Sequence, residues 1–266
     1  MTSKTFIDQM GNKVTIPFPP KRIISLVPSQ TEFLYDLGLS DEVVGQTLFC
    51  IHPDKYHQTK PRIGGTKNLK LDLIAQLKPD LIIANKEENE QKQIEYLQSH
   101  YPVWISDIQT LADAYKMMEG IGEITDKQNE AKKIVQAIQQ SFIGLDSLPA
   151  LTNNKVAYFI WRKPYMVAGN HTFINHLLES IHLNNVFKNK PSRYPEITVD
   201  ELIAAQPEYL LLSSEPYPFK QKHIDELQAI LPRSKILLTD GELFSWYGSR
   251  LQHSCAYFKT LLSNLA

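Results

Sequence analysis

Cys50-x-His52 is the spacing in this sequence with the most direct chemical content. In an extended segment residues two apart point the same way, so a thiolate and an imidazole at that spacing could share one metal. Two ligands are too few for a structural zinc site, and His171 and His176 lie far along the chain. The metal chemistry left to Cys50 or His52 is an axial contact to an ion already held in a chelate. The structural alternative is a buried thiol and an imidazole that satisfies a loop carbonyl. Enzyme signatures are missing: there is no G-x-S-x-G elbow, G-x-G-x-x-G turn, Walker loop or H-E-x-x-H. His52, Glu87 and Glu215 could move protons, yet no nucleophile, base and orienting group form a set. The sequence therefore reads as a non-enzyme with no intrinsic cofactor.

Polar and aromatic side chains instead gather in short segments after apolar runs. Ser29 lies in Pro28-Ser29-Gln30, Phe49 and His52 in FCIHP, Thr66 and Lys67 in GGTKN, and Asn85 and Lys86 in NKEEN. Trp161, Arg162 and Tyr165 lie in WRKPY, Arg193 and Tyr194 in SRYP, Glu215 in SSEPY, and Trp246 and Tyr247 in FSWYG. Ligands of open parallel sheets bind beyond the carboxyl ends of the strands, and large flat rings there suit a flat, mostly apolar ligand. These residues are the candidate ligand-binding set. Each has a structural reading too. Ser29 and Glu32 fit a helix cap, Trp161 and Trp246 could be core, 86–95 could be a solvated helix face, and Gly64-Gly65 is first a turn.

The elements that would carry these segments alternate. A hairpin over 5–16 turns at Gly11-Asn12. RIISLV then reads as a strand, followed by a helix over 30–37 that Ser29-x-x-Glu32 caps and Gly38 closes. EVVGQT, DLIIA and VWIS read as strands, LDLIAQL and EQKQIEYLQSH as helices; such alternation implies a mostly parallel sheet with both faces covered. Residues 110–148 break the pattern with a helix from Thr110 and a second one capped by Thr125-x-x-Gln128. Its apolar stripe Ala131, Ile134, Val135, Ile138, Phe142 and Leu145 predicts one helix over about 126–148, roughly 35 Å long. The α/β pattern then returns in KVAYFIW, YMVAG, FINHLLESI, YLLLSS and ILLTD, and a helix from about Ser249 closes the chain. The division predicted is an N-terminal α/β lobe over 1–109, a helical region over 110–148 and a C-terminal α/β lobe over 149–266. A weak repeat supports it: Asp72-Leu-Ile-Ala-Gln-Leu-Lys-Pro79 recurs as Asp200-Glu-Leu-Ile-Ala-Ala-Gln-Pro207, each followed by a buried strand. Asp72 and Asp200 suit the positive end of a helix; as a matched pair they could also dock on basic residues of a partner.

Composition limits the partners. With 266 residues, 42% hydrophobic and 21% charged, the chain can bury a substantial core. A net charge of −1 excludes an electrostatic footprint for nucleic acid. No apolar run approaches the length of a membrane span, and a monomer is expected. The first 22 residues carry no apolar h-region, so a native start at Met1 predicts the cytoplasm, and a removed export signal predicts the periplasm or cell surface. Two widely separated cysteines suit a reducing compartment.

The order KRIISLVPSQTE, VVGQT, NLKLDLIAQLKPDLIIA, a spine helix and a second α/β half resembles the substrate-binding proteins of cobalamin and iron-chelate ABC importers. These have the class III periplasmic-binding-protein fold. The C-x-H-P, GGTKN, NKEEN, WRKPY, SRYP, SEPYPF and SWYG segments are most similar to a cobalamin-binding subgroup, the helical backbone metal receptors. The resemblance implies two α/β lobes joined by one long backbone helix and a corrinoid or other metal chelate held between them. It also implies delivery to an ABC permease that Asp72 and Asp200 would dock, at positions where the family has Glu. Tyr194 matches a ring-contacting Trp, and Thr66 and Asn85 stand where other ring contacts are aromatic. Two alternatives stay open: a cytoplasmic corrinoid carrier or sensor without a permease, and a chelatase-like enzyme.

Overall fold

A computed structural model describes residues 2–145 and 151–266 of the protein. The chain divides into two compact units. The first comprises Met1–Ile108, Ala112–Ile138 and Tyr247–Arg250; the second comprises Gln109–Leu111, Gln139–Trp246 and Leu251–Ala266.

The first unit opens with an antiparallel hairpin, β1 (Thr2–Ile7) and β2 (Lys13–Phe18), turning at Gly11. There follow β3 (Ile23–Ser25), α1 (Pro28–Asp36), β4 (Val43–Gln46), α2 (Asp54–Thr59), the small strands β5 (Gly64–Gly65) and β6 (Asn68–Leu69), and α3 (Leu71–Leu77). Then come β7 (Leu81–Asn85), α4 (Gln91–Gln98), β8 (Val103–Ser106), α5 (Leu111–Ile124) and α6 (Gln128–Phe142), of which Leu111 and 139–142 are counted with the second unit. The central sheet runs in the order β4-β3-β7-β8 with all strands parallel. Its strands are apolar without alternation because helices cover both faces: Ile23, Ile24 and Leu81 to Ala84 have no exposed surface. The free edge of β8 is closed by the hairpin's connection. Gln9 gives its main-chain N–H to the Ile105 carbonyl (3.1 Å), and the Asp8 carboxylate accepts from the Ile105 N–H (3.3 Å).

Two predicted caps are replaced. Helix α1 starts one residue before the Ser29–Glu32 box: Val27 is its N-cap, Pro28 sits in the first turn, and no side chain caps it. A proline at the first helical position lacks only an N–H that would have no helical partner, so the boundary falls there. Glu32 is thereby released and takes a two-pronged contact from Arg250 (2.6 and 2.9 Å). Gly248 in the same segment lies so close to α1 that an added Cβ would meet the Ser29 carbonyl at 2.5 Å. Thr125 likewise ends α5, giving its hydroxyl to the Ile121 carbonyl (2.6 Å), rather than capping α6. Asp126, at φ 61°, turns the chain between the two helices. The long helix is correspondingly shorter than the stripe suggests. Gln128–Phe142 is 15 residues, about 22 Å at 1.5 Å per residue. Positions 143–145 form turns, and 146–148 lie outside the described residues.

The second unit contains β9 (Lys155–Trp161), β10 (Tyr165–Val167), α7 (Phe173–Ser180), β11 (Asn184–Asn185), β12 (Glu196–Ile197), α8 (Val199–Ala205), β13 (Tyr209–Ser213), α9 (Gln221–Ile230), β14 (Lys235–Thr239), α10 (Glu242–Ser245) and α11 (Leu251–Leu265). The sheet order is β12-β10-β9-β13-β14, with β11 beside β9. Strands β9, β13 and β14 are parallel; β10 runs against β9 and β12. Ala157, Phe159, Leu202, Leu210, Leu212 and Leu227 form the core of one face.

The repeat is real at the level of backbone. Both α3 and α8 are seven residues long, and both end on a left-handed residue, Lys78 and Gln206, each at φ 46° and each immediately before a proline. The pre-proline residue disfavours the right-handed helical region, so both helices stop there and the chain turns into the buried strand that follows. Asp72 and Asp200 occupy the first turns of these matched helices and are both exposed.

Candidate functional site

In the first unit, the residues beyond the carboxyl ends of the parallel strands form one tied set of loops. Asn85, at the end of β7, is 2% exposed. Its side-chain oxygen accepts the main-chain N–H groups of Glu87 (2.8 Å) and Glu88 (3.0 Å), and its amide nitrogen donates to Ser106 at the end of β8. Asn89 returns the favour from the other side of the turn. It accepts from the Asn85 N–H (2.8 Å) and donates to the carbonyls of Leu26 and Thr66. Lys67 donates to the carbonyls of Glu87 and Asn89, and Lys86 pairs with Asp107 (2.6 Å). Asn85 therefore acts as a strut of the loops, where the sequence suggested a ligand contact. Ser29 is also buried, at 3% exposure.

The loop after β4 behaves differently. Leu48, Phe49 and Ile51 are 42, 53 and 41% exposed, an apolar surface on an otherwise polar rim. The Phe49 ring lies over Gly65, where an added Cβ would sit 3.2 Å from its edge. Cys50 is turned inward with no exposed surface, its sulfur 3.1 Å from the hydroxyls of both Thr31 and Thr47. Burial raises its thiol pKa, and nearby Glu88 adds to that effect against the two hydroxyl contacts. Residues 47–52 belong to no strand: 48–49 form a turn, and the Cys50 and Ile51 N–H groups bond back to the Thr47 and Phe49 carbonyls, so the strand alternation that would aim Cys50 and His52 at a shared metal is absent. No group of three or more His, Cys, Asp or Glu side chains able to hold a metal ion exists among the described residues.

In the second unit, three loops follow the carboxyl ends of β9, β13 and β14. Trp161 and Arg162 end β9; Trp161 is 40% exposed and meets the Tyr217 ring edge-on at 5.6 Å. Arg162 donates to Glu226 through Nε (3.1 Å) and Nη2 (2.5 Å), and the Tyr165 hydroxyl donates to the other oxygen of that carboxylate (3.3 Å). Glu226 is held below the usual carboxylate range by the Arg162 contact. Glu215, after β13, accepts from the Ser245 hydroxyl (2.7 Å) and the Trp246 indole N–H (2.9 Å) through one oxygen. Burial raises its pKa despite the Ser245 contact, and the charge of Glu242 adds to the rise. Trp246 and Tyr247, 5 and 6% exposed, are packed rather than presented, as the structural alternative for Trp246 had it. The division of the chain falls between them, Trp246 with the second unit and Tyr247 with the first.

Arg193 and Tyr194 stand apart from Trp161. Their segment runs beside the end of β10, where Gly169 donates to the Arg193 carbonyl (2.7 Å) and Val167 to that of Pro195 (3.1 Å). Because β10 is antiparallel to β9, this lies level with the middle of β9 and not beyond its carboxyl end. Sequence reading missed Leu48 and Ile51, whose signal was an apolar cluster in a segment too short for an element. It also missed His223 and Glu226, whose signal was a polar pair three residues apart on an amphipathic helix.

Two α/β units, each with parallel strands and one copy of the helix–Pro–strand unit, make up the class III binding-protein fold. The chain belongs to the periplasmic binding protein family, whose model matches residues 23–230. It is 28% identical over 198 residues to the vitamin B12-binding protein of Vibrio parahaemolyticus, covering 73% of this chain and 71% of that one. It is 28% identical over 217 residues to the uncharacterized ABC transporter substrate-binding lipoprotein YvrC of Bacillus subtilis, covering 78 and 68%. The periplasmic haem-binding protein RhuT of Roseiflexus sp. RS-1 has the same fold, with a TM-score of 0.80 at 18% identity over 92% of this chain and 98% of that one. Among the described residues no helix is long and apolar enough to cross a membrane.

Proposed function

We propose that this chain is the substrate-binding component of an ABC importer, and that its cargo is a planar metal chelate of the corrinoid or haem kind. The ligand is read as cargo and not as a cofactor, in keeping with the similarity to an ABC transporter substrate-binding lipoprotein. The observation that carries the reading is the coincidence of a family match over 23–230 with exposed apolar side chains beyond the strand ends, Phe49 above all. Leu48, Phe49 and Ile51 offer a face for a flat ring system, and Trp161 with Tyr217 offers a second aromatic surface. Stacking on such faces gains affinity by removing apolar area from water, about 25 cal/mol per Å².

Asp72 and Asp200 fit a permease-docking role because they are exposed, equivalent in the two units and free of any structural duty as caps. Export to the periplasm or the cell surface follows from this role, and the chain works as a monomer.

The test is a titration of the purified chain with cyanocobalamin, haemin and a ferric siderophore, followed by tryptophan quenching and the visible spectrum. A dissociation constant in the micromolar range or tighter for one of them, about −8 kcal/mol, is expected. Failure of all three to bind removes the reading.

A further inference from the structure

Helix α9 lies under the strand-end loops of the second unit and carries two polar side chains one turn apart, His223 and Glu226. His223 is buried, and Glu226 is partly exposed but engaged by Arg162 and Tyr165. His223 is 3% exposed, and its Nδ1 accepts the main-chain N–H of Lys220 (2.8 Å), closing the first turn of α9. A main-chain N–H can only donate, so Nδ1 must carry its lone pair and the ring proton belongs to Nε2. Nε2 faces the Tyr217 hydroxyl at 3.3 Å, and the Tyr217 ring in turn packs on Trp161. Glu226 fixes Arg162 and Tyr165, the two ends of the β9–β10 turn that begins at Trp161.

We propose that His223 and Glu226 are positioning residues for the chelate-contacting surface of the second unit, and that His223 does this only as the neutral ring. Imidazolium has two N–H donors and no acceptor, so protonation sets an N–H against the Lys220 N–H and opens the cap. The Lys220 segment is the one that carries Tyr217, so opening it withdraws the support behind Trp161. The groups facing the ring favour the neutral form. Burial is the largest influence, followed by the positive charges of Arg162 on the β9–β10 turn and of Lys222; Lys220 acts in the same direction and Glu226 against them. Acid therefore loosens the aromatic surface of this unit through a single ring, and binding weakens with it.

The contact to a chelate rests on the function proposed above; the positioning itself does not, so the experiment has two arms. In the first, without ligand, nitrogen NMR of the full chain reads the His223 tautomer. The emission of Trp161, taken as the difference from the Trp161→Phe variant, is followed from about pH 8 to about pH 5. The expected result is an Nε2–H tautomer at the alkaline end and a red shift of Trp161 as His223 titrates. His223→Gln keeps an acceptor for the Lys220 N–H and cannot titrate, so its emission should stay flat. In the second arm, cyanocobalamin and haemin are bound at both ends of that range. Whichever binds should lose about tenfold in affinity at acid pH for the native chain, and less than about twofold for His223→Gln. Glu226→Gln should weaken binding at every pH and leave the pH response in place. An Nδ1–H tautomer, or identical pH responses in the native chain and His223→Gln, overturns the proposal. If neither chelate binds at any pH, the function fails and the first arm still decides the positioning.

Discussion

The strand-end loops of the two units do the same structural job with different chemistry. In the first unit the buried ties are neutral amides, with Lys67 and the Lys86–Asp107 pair at the rim: Asn85 and Asn89 between them hold two strand ends, a turn and the carbonyls of Leu26 and Thr66. In the second they are tied by ionisable side chains: Arg162 on Glu226, His223 on the Lys220 N–H, and Glu215 on Ser245 and Trp246. An amide network does not respond to pH, whereas each tie of the second unit changes when a proton is gained or lost. Two halves built on one helix–Pro–strand repeat thus differ in what can disturb their buried loop ties, and the exposed apolar residues of the β4 loop sit on the half whose buried ties are neutral.

The largest effect expected from breaking this contrast is at Asn89. Asn89→Ala leaves the buried Asn85 N–H and two carbonyls without their partner, which should cost about 3 kcal/mol in urea unfolding, with no change in that cost between neutral and mildly acid pH. A pH-dependent cost would contradict the neutral character of the network. Phe49→Ala comes next. It should weaken chelate binding by more than about 1 kcal/mol and leave the unfolding midpoint almost unchanged, because the ring is half exposed in the absence of ligand. Equal losses of stability and affinity would make Phe49 a packing residue.

Glu215→Gln addresses the second unit with a smaller, signed effect. Burial raises the folded-state pKa of Glu215 above its ordinary value. The stability tied to its protonated form is therefore complete below the ordinary carboxylate pKa and lost as pH rises through the raised one. The amide can still accept from Ser245 and Trp246 and never ionises. Its melting temperature should exceed the native chain's near about pH 8, with the gap closing by about pH 4. A gap that widens on acidification has the wrong sign for this account. The smallest effect on the isolated chain belongs to Asp72→Lys with Asp200→Lys. Losing first-turn acids costs about 0.3–1 kcal/mol each, and chelate affinity should not change. Uptake in cells or reconstituted vesicles should nevertheless fall sharply, and unaltered uptake would remove the docking role.

Much of the fold was legible because its strands are uninterrupted apolar runs bounded by proline and glycine. RIISLV, VWIS, KVAYFIW and YLLLSS contain the strands they announced, β3, β8, β9 and β13, and DLIIA covers all of β7 but its last residue, Asn85. Caps were harder: Ser29 and Thr125 each had a partner three residues on, but Pro28 had already opened one helix and Thr125 was still closing another. Local spacing cannot tell which of two overlapping signals wins. Of the candidate site, the sequence shows which segments lie at strand ends better than it shows what their side chains touch. The loop that holds C-x-H-P does carry an exposed apolar surface, yet through Ile51 and the preceding Leu48 and Phe49, while Cys50 points inward. NKEEN is a loop at a strand end, yet its asparagines bind backbone. WRKPY sits where expected, but what holds it in place, Glu226, lies 64 residues after Arg162. Periodicity reports which residues share an element; it does not report which distant carboxylate meets a guanidinium.

Amide hydrogen exchange with and without a saturating chelate, either cyanocobalamin or haemin, tests the central claim most directly. The account predicts slowed exchange on binding in 47–52 and in 161–165 with 214–220, and unchanged exchange in the first turns of α3 and α8. Protection confined to those helix turns, or spread evenly over the chain with none concentrated at the strand ends, would contradict it.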